Sequence, residues 1–255
     1  MPVFKSVDAQ DVFRLASDIE RQGYAVIEHF LSAEQLESAR EYVLKETNKH
    51  NSEYFALHGI KSVTGSLFEA LSTSVRFKQM LAGIQAAGLG RSVPEDEDIF
   101  PAVRCLQGRT GLKESNYFHY DATALTALVP VFIPNDKDQC GDFIMFPNTR
   151  RIRKSVTINI IEKVLVQNPL SQKFVALLIR RKVLKPVRLK LVPGNIYIFW
   201  GYRSIHANEP CDPNALRATV LLHYGDPHSH HWMSKLFLGA NQRRARKINK
   251  NALPG

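Results

Sequence analysis

The sequence predicts a mainly β fold, a barrel or sandwich with flanking helices, from three observations. Short β-rich runs separated by turn residues recur at 100–107, 124–133, 142–146, 187–192, 195–200 and 216–224. A helical stretch with apolar residues at helical spacing precedes them. A pair of basic helices interrupts them at 150–186.

Taken in order, residues 8–22 form an amphipathic helix with Val12, Leu15 and Ile19 on one face, stopped by Gly23. Residues 24–28 are a short strand. Ser32, with Gln35 three residues on, reads as a capping box opening a helix over 33–48. Residues 66–90 read as one helix punctuated by Gly83, Gly88 and Gly90. The acidic turn at 94–98 begins the β region, and Pro193-Gly194-Asn195 is a tight turn between two of its strands. The insert reads as helices over 155–166 and 172–184, joined at Asn168-Pro169. One domain accounts for the chain: a helical part (1–95), the β core (96–149 and 187–230), the insert (150–186) and a basic tail (231–255).

The 255 residues carry a formal net charge of +10, unevenly spread. Residues 150–190 hold twelve lysines or arginines against one acid, Glu162, and the chain from Lys235 onward holds six and no acid. Such segments suit an anionic partner as well as a solvated face: a lipid surface, nucleic acid or an acidic substrate. No apolar run of 18 residues exists, and the N-terminus lacks a signal-peptide pattern. Cys105, Cys140 and Cys211 are too scattered for a disulfide framework or thiolate zinc site, which makes a reducing cytoplasm the expected compartment.

The chemistry-bearing motif is His119-Tyr120-Asp121. In an extended strand, residues i and i+2 face the same way, so imidazole and carboxylate can share one ion. His206, from the later strand region, supplies a third ligand. Two histidines and one carboxylate on one face of an octahedral ion form the facial triad of non-haem Fe(II) oxygenases, leaving positions for a bidentate 2-oxo acid and O2. Arg217, eleven residues past His206, offers a planar fork for the far carboxylate of that co-substrate, with Thr219 on the same side. Arg203, beside His206, points to solvent or to substrate. His223, His228, His230 and His231 read as a polar exit from the last strand, His29, His50 and His58 as surface residues, and Phe199 and Trp200 as core.

The order of HxD, distant histidine and following arginine resembles the phytanoyl-CoA dioxygenase family, within the Fe(II)/2-oxoglutarate oxygenases. Gly23-Tyr-Ala-Val-Ile-Glu-His-Phe-Leu-Ser32 and the Pro193-Gly194-Asn195 turn with Tyr197-Ile-Phe199 are similar to that family's N-terminal strand and pre-histidine turn. The likeness covers roughly 20–48, 100–146 and 187–225, leaving the insert and tail outside it. It implies a double-stranded β-helix (jelly-roll) core, iron held by His119, Asp121 and His206, and 2-oxoglutarate held by Arg217. It also implies a polar contact to 2-oxoglutarate from Thr126, and help from an earlier strand, where Arg104 and Gln107 are candidates. The implied reaction is hydroxylation of an aliphatic C–H using Fe(II), 2-oxoglutarate and O2.

Three substrate classes stay open. The charge map favours an anionic, membrane-lipid-borne substrate, for which the Kdo sugar of lipopolysaccharide is the precedent in this enzyme class. Segments 150–186 and 235–250 would then touch an anionic membrane peripherally. A free amino acid or small natural product is the second class. A nucleic acid undergoing oxidative demethylation is the third, weakened by the few aromatics among the basic residues. A non-enzymatic binding protein on the same barrel would lack a use for the complete triad.

Overall fold

A computed structural model describes residues 4–5, 7–90, 97–134, 140–153 and 155–227. The N-terminal part starts with α1 (Ala9–Gln22), capped by the Asp8 carboxylate, which accepts from the Asp11 N–H at 2.8 Å. Gly23 ends it at φ 96°, where a β-carbon would also fall 2.2 Å from Pro147 Cβ, so both backbone and space demand glycine. Strand β1 (Ala25–Ile27) leads into α2 (Ala33–Lys49), which opens with the expected reciprocal Ser32–Gln35 box. A strand not anticipated, β2 (Phe55–His58), follows.

The single helix expected over 66–90 is two, α3 (Leu67–Ser72) and α4 (Val75–Leu89). The break is chemical: the Ser74 hydroxyl accepts from the Phe77 N–H and caps a new helix. Within α4, Gly88 leaves room for the buried Trp200 ring, which a β-carbon would approach to 2.3 Å.

The β region comprises β3 (Phe100–Leu106), β4 (Leu125–Phe132), β5 (Phe143–Phe146), β6 (Val187–Leu189), β7 (Ile196–Phe199), β8 (Ile205–Asn208) and β9 (Arg217–Tyr224). Two antiparallel sheets result, one ordered β1-β7-β4-β9-β3-β2 and the other β6-β5-β8. They face each other as a jelly-roll. Alternation along β9 shows the logic: Ala218, Val220, Leu222 and Tyr224 pack outward with the helical layer, whereas Arg217, Thr219, Leu221 and His223 face the interior. One end of that interior is apolar, filled by Leu128, Phe143, Met145, Leu189, Tyr197 and Phe199. The other end is polar.

Short α5 (Gly108–Lys113) is a further element not anticipated. The insert forms α6 (Val156–Gln167) and α7 (Pro169–Arg180). The second helix starts three residues earlier than expected, because Pro169 suits a first helical turn and Asn168 caps it by accepting from the Ser171 N–H at 2.9 Å. Val166, Val175 and Ile179 pack on Phe118, Ile144 and Ala207, the outer face of the smaller sheet. Among the described residues no helix is long and apolar enough to cross a membrane.

Candidate metal centre

Register brings the first two ligands together. His119 and His206 form an antiparallel bridge, each N–H donating to the other's carbonyl at 3.1 Å, so both rings project the same way with centroids 4.3 Å apart. Asp121 follows two residues on, its N–H donating to the Gly201 carbonyl at 3.0 Å. Its Oδ1 lies 3.7 Å from His119 Nε2 and 3.5 Å from His206 Nε2, and the three donor atoms sit within 4.8 Å of one another.

The rings are prepared for a cation. His119 Nδ1 meets the Tyr117 carbonyl at 2.8 Å and His206 Nδ1 meets the Ser204 carbonyl at 3.0 Å. A carbonyl only accepts, so each Nδ1 carries a proton and Nε2 is the nitrogen left facing inward. His206 Nε2 is buried with no hydrogen-bond partner among the described residues. Burial, reinforced by His206, pushes the His119 imidazole down to about 3, so it stays neutral at ordinary pH. Burial alone would raise the Asp121 carboxyl, but His206, His223 and His119 outweigh it and hold the group well below the carboxylate range. Two inward-facing imidazoles, one anion and an orphaned buried nitrogen fit a divalent transition metal.

Surrounding groups fix this set. Thr126, fully buried, donates its hydroxyl hydrogen to Asp121 Oδ2 at 2.6 Å. That gives Thr126 a carboxylate neighbour other than the 2-oxoglutarate expected for it. His223 Nδ1 stands 3.2 Å from Thr126 Oγ1 and 3.8 Å from Asp121 Oδ2. His223 therefore belongs to the interior, not to the polar exit read from the sequence; His228, His230 and His231 lie outside the described residues. Gly201 is required, since a β-carbon there would fall 2.2 Å from Asp121 Oδ2.

The insert grips the extended segment carrying HxD from both sides of His119. The Gln172 amide accepts from the Phe118 N–H and donates to the Phe118 carbonyl, both at 2.7 Å. The Arg150 guanidinium lies 3.7 Å from the Tyr120 ring centroid and 4.2 Å from that of Tyr202. It also donates to Glu162 at 2.7 Å and Asn159 at 3.0 Å on α6.

Arg217 is fully buried on the same interior face. Its Nη2 donates to Asn208 Oδ1 at 2.8 Å, and Asn208 stands two residues past His206. Its Nε and Nη1 are buried without partners among the described residues. Burial, then the charge of Arg104, pulls the guanidinium down to about 10. A buried cation with two unused donors is a ready seat for a carboxylate. Arg104 faces the same interior opposite Thr219, with Nη2 donating to the Glu114 carbonyl at 2.9 Å and a buried Nε that has no hydrogen-bond partner among the described residues. Gln107 caps α5, with its Oε1 buried and unpartnered among the described residues.

Other expectations need revision. Arg203 pairs with the exposed Glu20 of α1 and stays partly open to solvent, so of the two expected settings it takes the surface one. Of the three histidines taken as surface residues, His29 is exposed, but His50 stacks on Phe55 at 4.6 Å and His58 on Phe100 at 6.5 Å. Phe199 and Trp200 are core, as expected.

Fold and site together define a jelly-roll chain whose interior gathers a His–Asp–His cluster beside a buried arginine. Solved structures share that fold. A Pseudomonas putida prolyl-4-hydroxylase superposes with TM-score 0.50 at 12% identity, over 87% of this chain and 97% of its own. A prolyl 4-hydroxylase from Phytophthora capsici gives 0.55 at 14%, over 96% and 78%. The non-haem alpha-ketoglutarate-dependent carbocyclase SnoK of nogalamycin biosynthesis gives 0.54 at 14%, over 89% and 92%. No protein-family profile and no curated protein matches the sequence. At such identities the likeness establishes the fold alone.

Proposed function

We propose that this protein is an Fe(II)/2-oxoglutarate-dependent oxygenase. The observation that carries the reading is the convergence, inside one barrel, of His119, Asp121 and His206 with Arg217, whose two unused buried donors await an anion. His119, Asp121 and His206 would hold the iron, and Arg217, oriented by Asn208, would hold the distal carboxylate of 2-oxoglutarate, with Arg104 adding positive potential. The neighbours named as prolyl hydroxylases and as an alpha-ketoglutarate-dependent carbocyclase support this reading. Bound iron with its co-substrate supplies the power to oxidise an aliphatic C–H. The chain's own contributions are inward-facing imidazoles, a fixed carboxylate, and an apolar barrel end that excludes water.

The order of these residues keeps the phytanoyl-CoA dioxygenase-like family as the finer assignment. An anionic substrate, such as the Kdo sugar of a membrane lipid, is the finer substrate reading. It is favoured by Lys163, which leans from α6 to 5.8 Å from the Tyr202 ring. Burial, then Arg150, pulls that lysine down to about 8. A cation held next to the Asp121 environment suits an acid better than a neutral chain.

The experiment is co-substrate turnover. Anaerobically purified protein given Fe(II), 2-oxoglutarate, ascorbate and air should form succinate, and Asp121→Ala should not. Equal succinate from both proteins would overturn the assignment.

A further inference from the structure

We propose that the outward faces of α6 and α7 form a docking surface for an anionic lipid bilayer. Leu170, Leu165 and Phe174 are 80%, 59% and 60% exposed. Ile158 and Ile161 precede Leu165 at helical spacing and are also exposed, and α7 contains no fully buried residue. The inward faces are already occupied, by the smaller sheet and by Arg150. These apolar side chains are therefore surplus to the core and gathered on one helical hairpin.

Charge decides the occupant. Lys173, Arg180, Arg181, Lys182 and Lys185 are exposed around this apolar surface and form no ion pair among the described residues. The sole acid of the segment, Glu162, is held between Arg150 and Arg153 and offers nothing outward. A second copy of this chain would set cations against cations. The C-terminal segment from Lys235 onward, with six basic residues and no acid, has the same sign and is a poor cover. Apolar side chains flanked by unpaired cations match an acyl boundary beneath anionic headgroups. If the oxygenase reading holds as well, Gln172 and Arg150 tie this hairpin to the metal ligands, so docking would set the site beside the lipid surface.

The test is co-sedimentation of the full chain with phosphatidylglycerol/phosphatidylethanolamine vesicles and, separately, with phosphatidylcholine vesicles. Strong binding to the anionic vesicles, weakened by salt, is expected. Leu165→Glu with Phe174→Glu, and separately Arg180→Glu with Arg181→Glu, should each weaken it roughly 10-fold or more while leaving the melting temperature unchanged, since these side chains are exposed. Asp121→Ala should bind vesicles as the parent does, which separates this proposal from the fate of the metal site. Failure to pellet with anionic vesicles at low salt would overturn it. So would equal binding to both vesicle types, unaltered binding by both double variants, or a dimer in sedimentation velocity that Leu165→Glu with Phe174→Glu dissolves.

Discussion

The side-chain amide of Gln172 satisfies both backbone groups of Phe118, the residue immediately before the ligand His119, with two hydrogen bonds of 2.7 Å. A helix of the insert thus acts on this strand as a neighbouring strand would. Gln172→Leu leaves a buried N–H and carbonyl unpaired, at a cost of about 1–3 kcal/mol. Because the lost bonds set the position of His119, metal affinity should fall on the order of 10-fold, within the range for outer groups that orient a ligand. Titration calorimetry with Mn(II) and urea unfolding check the two effects; unchanged metal affinity would show that the helix only decorates the barrel.

Arg150 performs the matching task on the other side of His119. Its guanidinium is stacked between Tyr120 and Tyr202 and paired with Glu162. Arg150→Met should destabilise the protein by about 1–3 kcal/mol, since it removes the stacking on two rings and the hydrogen bonds to the Tyr202 carbonyl and Asn159, while Arg153 keeps Glu162 paired. Limited proteolysis should then cut within 150–168 faster than in the parent.

Thr126 and Gly201 govern the outer oxygen of Asp121. Thr126→Val should weaken metal binding about 10–100-fold, with Thr126→Ser restoring most of it. Gly201→Ala should abolish metal binding, because its β-carbon falls 2.2 Å from Asp121 Oδ2 and 2.5 Å from Thr126 Oγ1. Metal titration of the three variants, with circular dichroism to confirm folding, decides the matter.

Arg217→Met should leave metal affinity intact yet weaken 2-oxoglutarate binding to the metal-loaded protein by roughly 100-fold or more, the usual scale for removing one partner of a buried charge pair. Arg217→Lys should rescue little, since a point charge does not reproduce the planar fork. Calorimetric titration of 2-oxoglutarate into Mn(II)-loaded variants measures both.

Acid should destabilise the metal-free protein through its imidazoles. Burial, then His223 and Arg104, depresses His58 to about 4, against about 6.5 when unfolded. Between those values the unfolded chain binds a proton that the folded chain refuses, so stability falls as pH drops from about 6.5 toward 4. His119, depressed to about 3, extends the same trend lower. His58→Gln should make the fall in urea midpoint across pH 6.5 to 4 shallower; an identical slope would remove His58 from the account.

Most strands were legible because a half-buried strand writes its faces into alternate residues, and 100–107, 124–133 and 216–224 differ from the observed strands by a residue at either end. Strands β2 and β8 were not, because their four residues each hold their place only by pairing, with β3 and with β5 respectively. The helix break at Thr73–Ser74 was readable in principle from a serine cap, whereas Gly83 and Gly88 interrupt nothing, since α4 runs through both. His223 was also within reach: the two-residue alternation that sets Thr219 beside Arg217 carries on to it. So was Asn208, two residues past His206, whereas Gly201, Gln172 and Arg150 were beyond reach, since each acts through a partner distant in the chain.

By itself the sequence determined which residue types exist to bind metal and anion, which runs alternate as strands and where the basic charge lies, because these depend on local spacing and composition. Tertiary structure alone decided that His119 opposes His206, that His223 meets Thr126, and that the insert clamps both neighbours of His119. Those are distances between segments up to about a hundred residues apart, fixed by strand register and packing, and no local pattern encodes them.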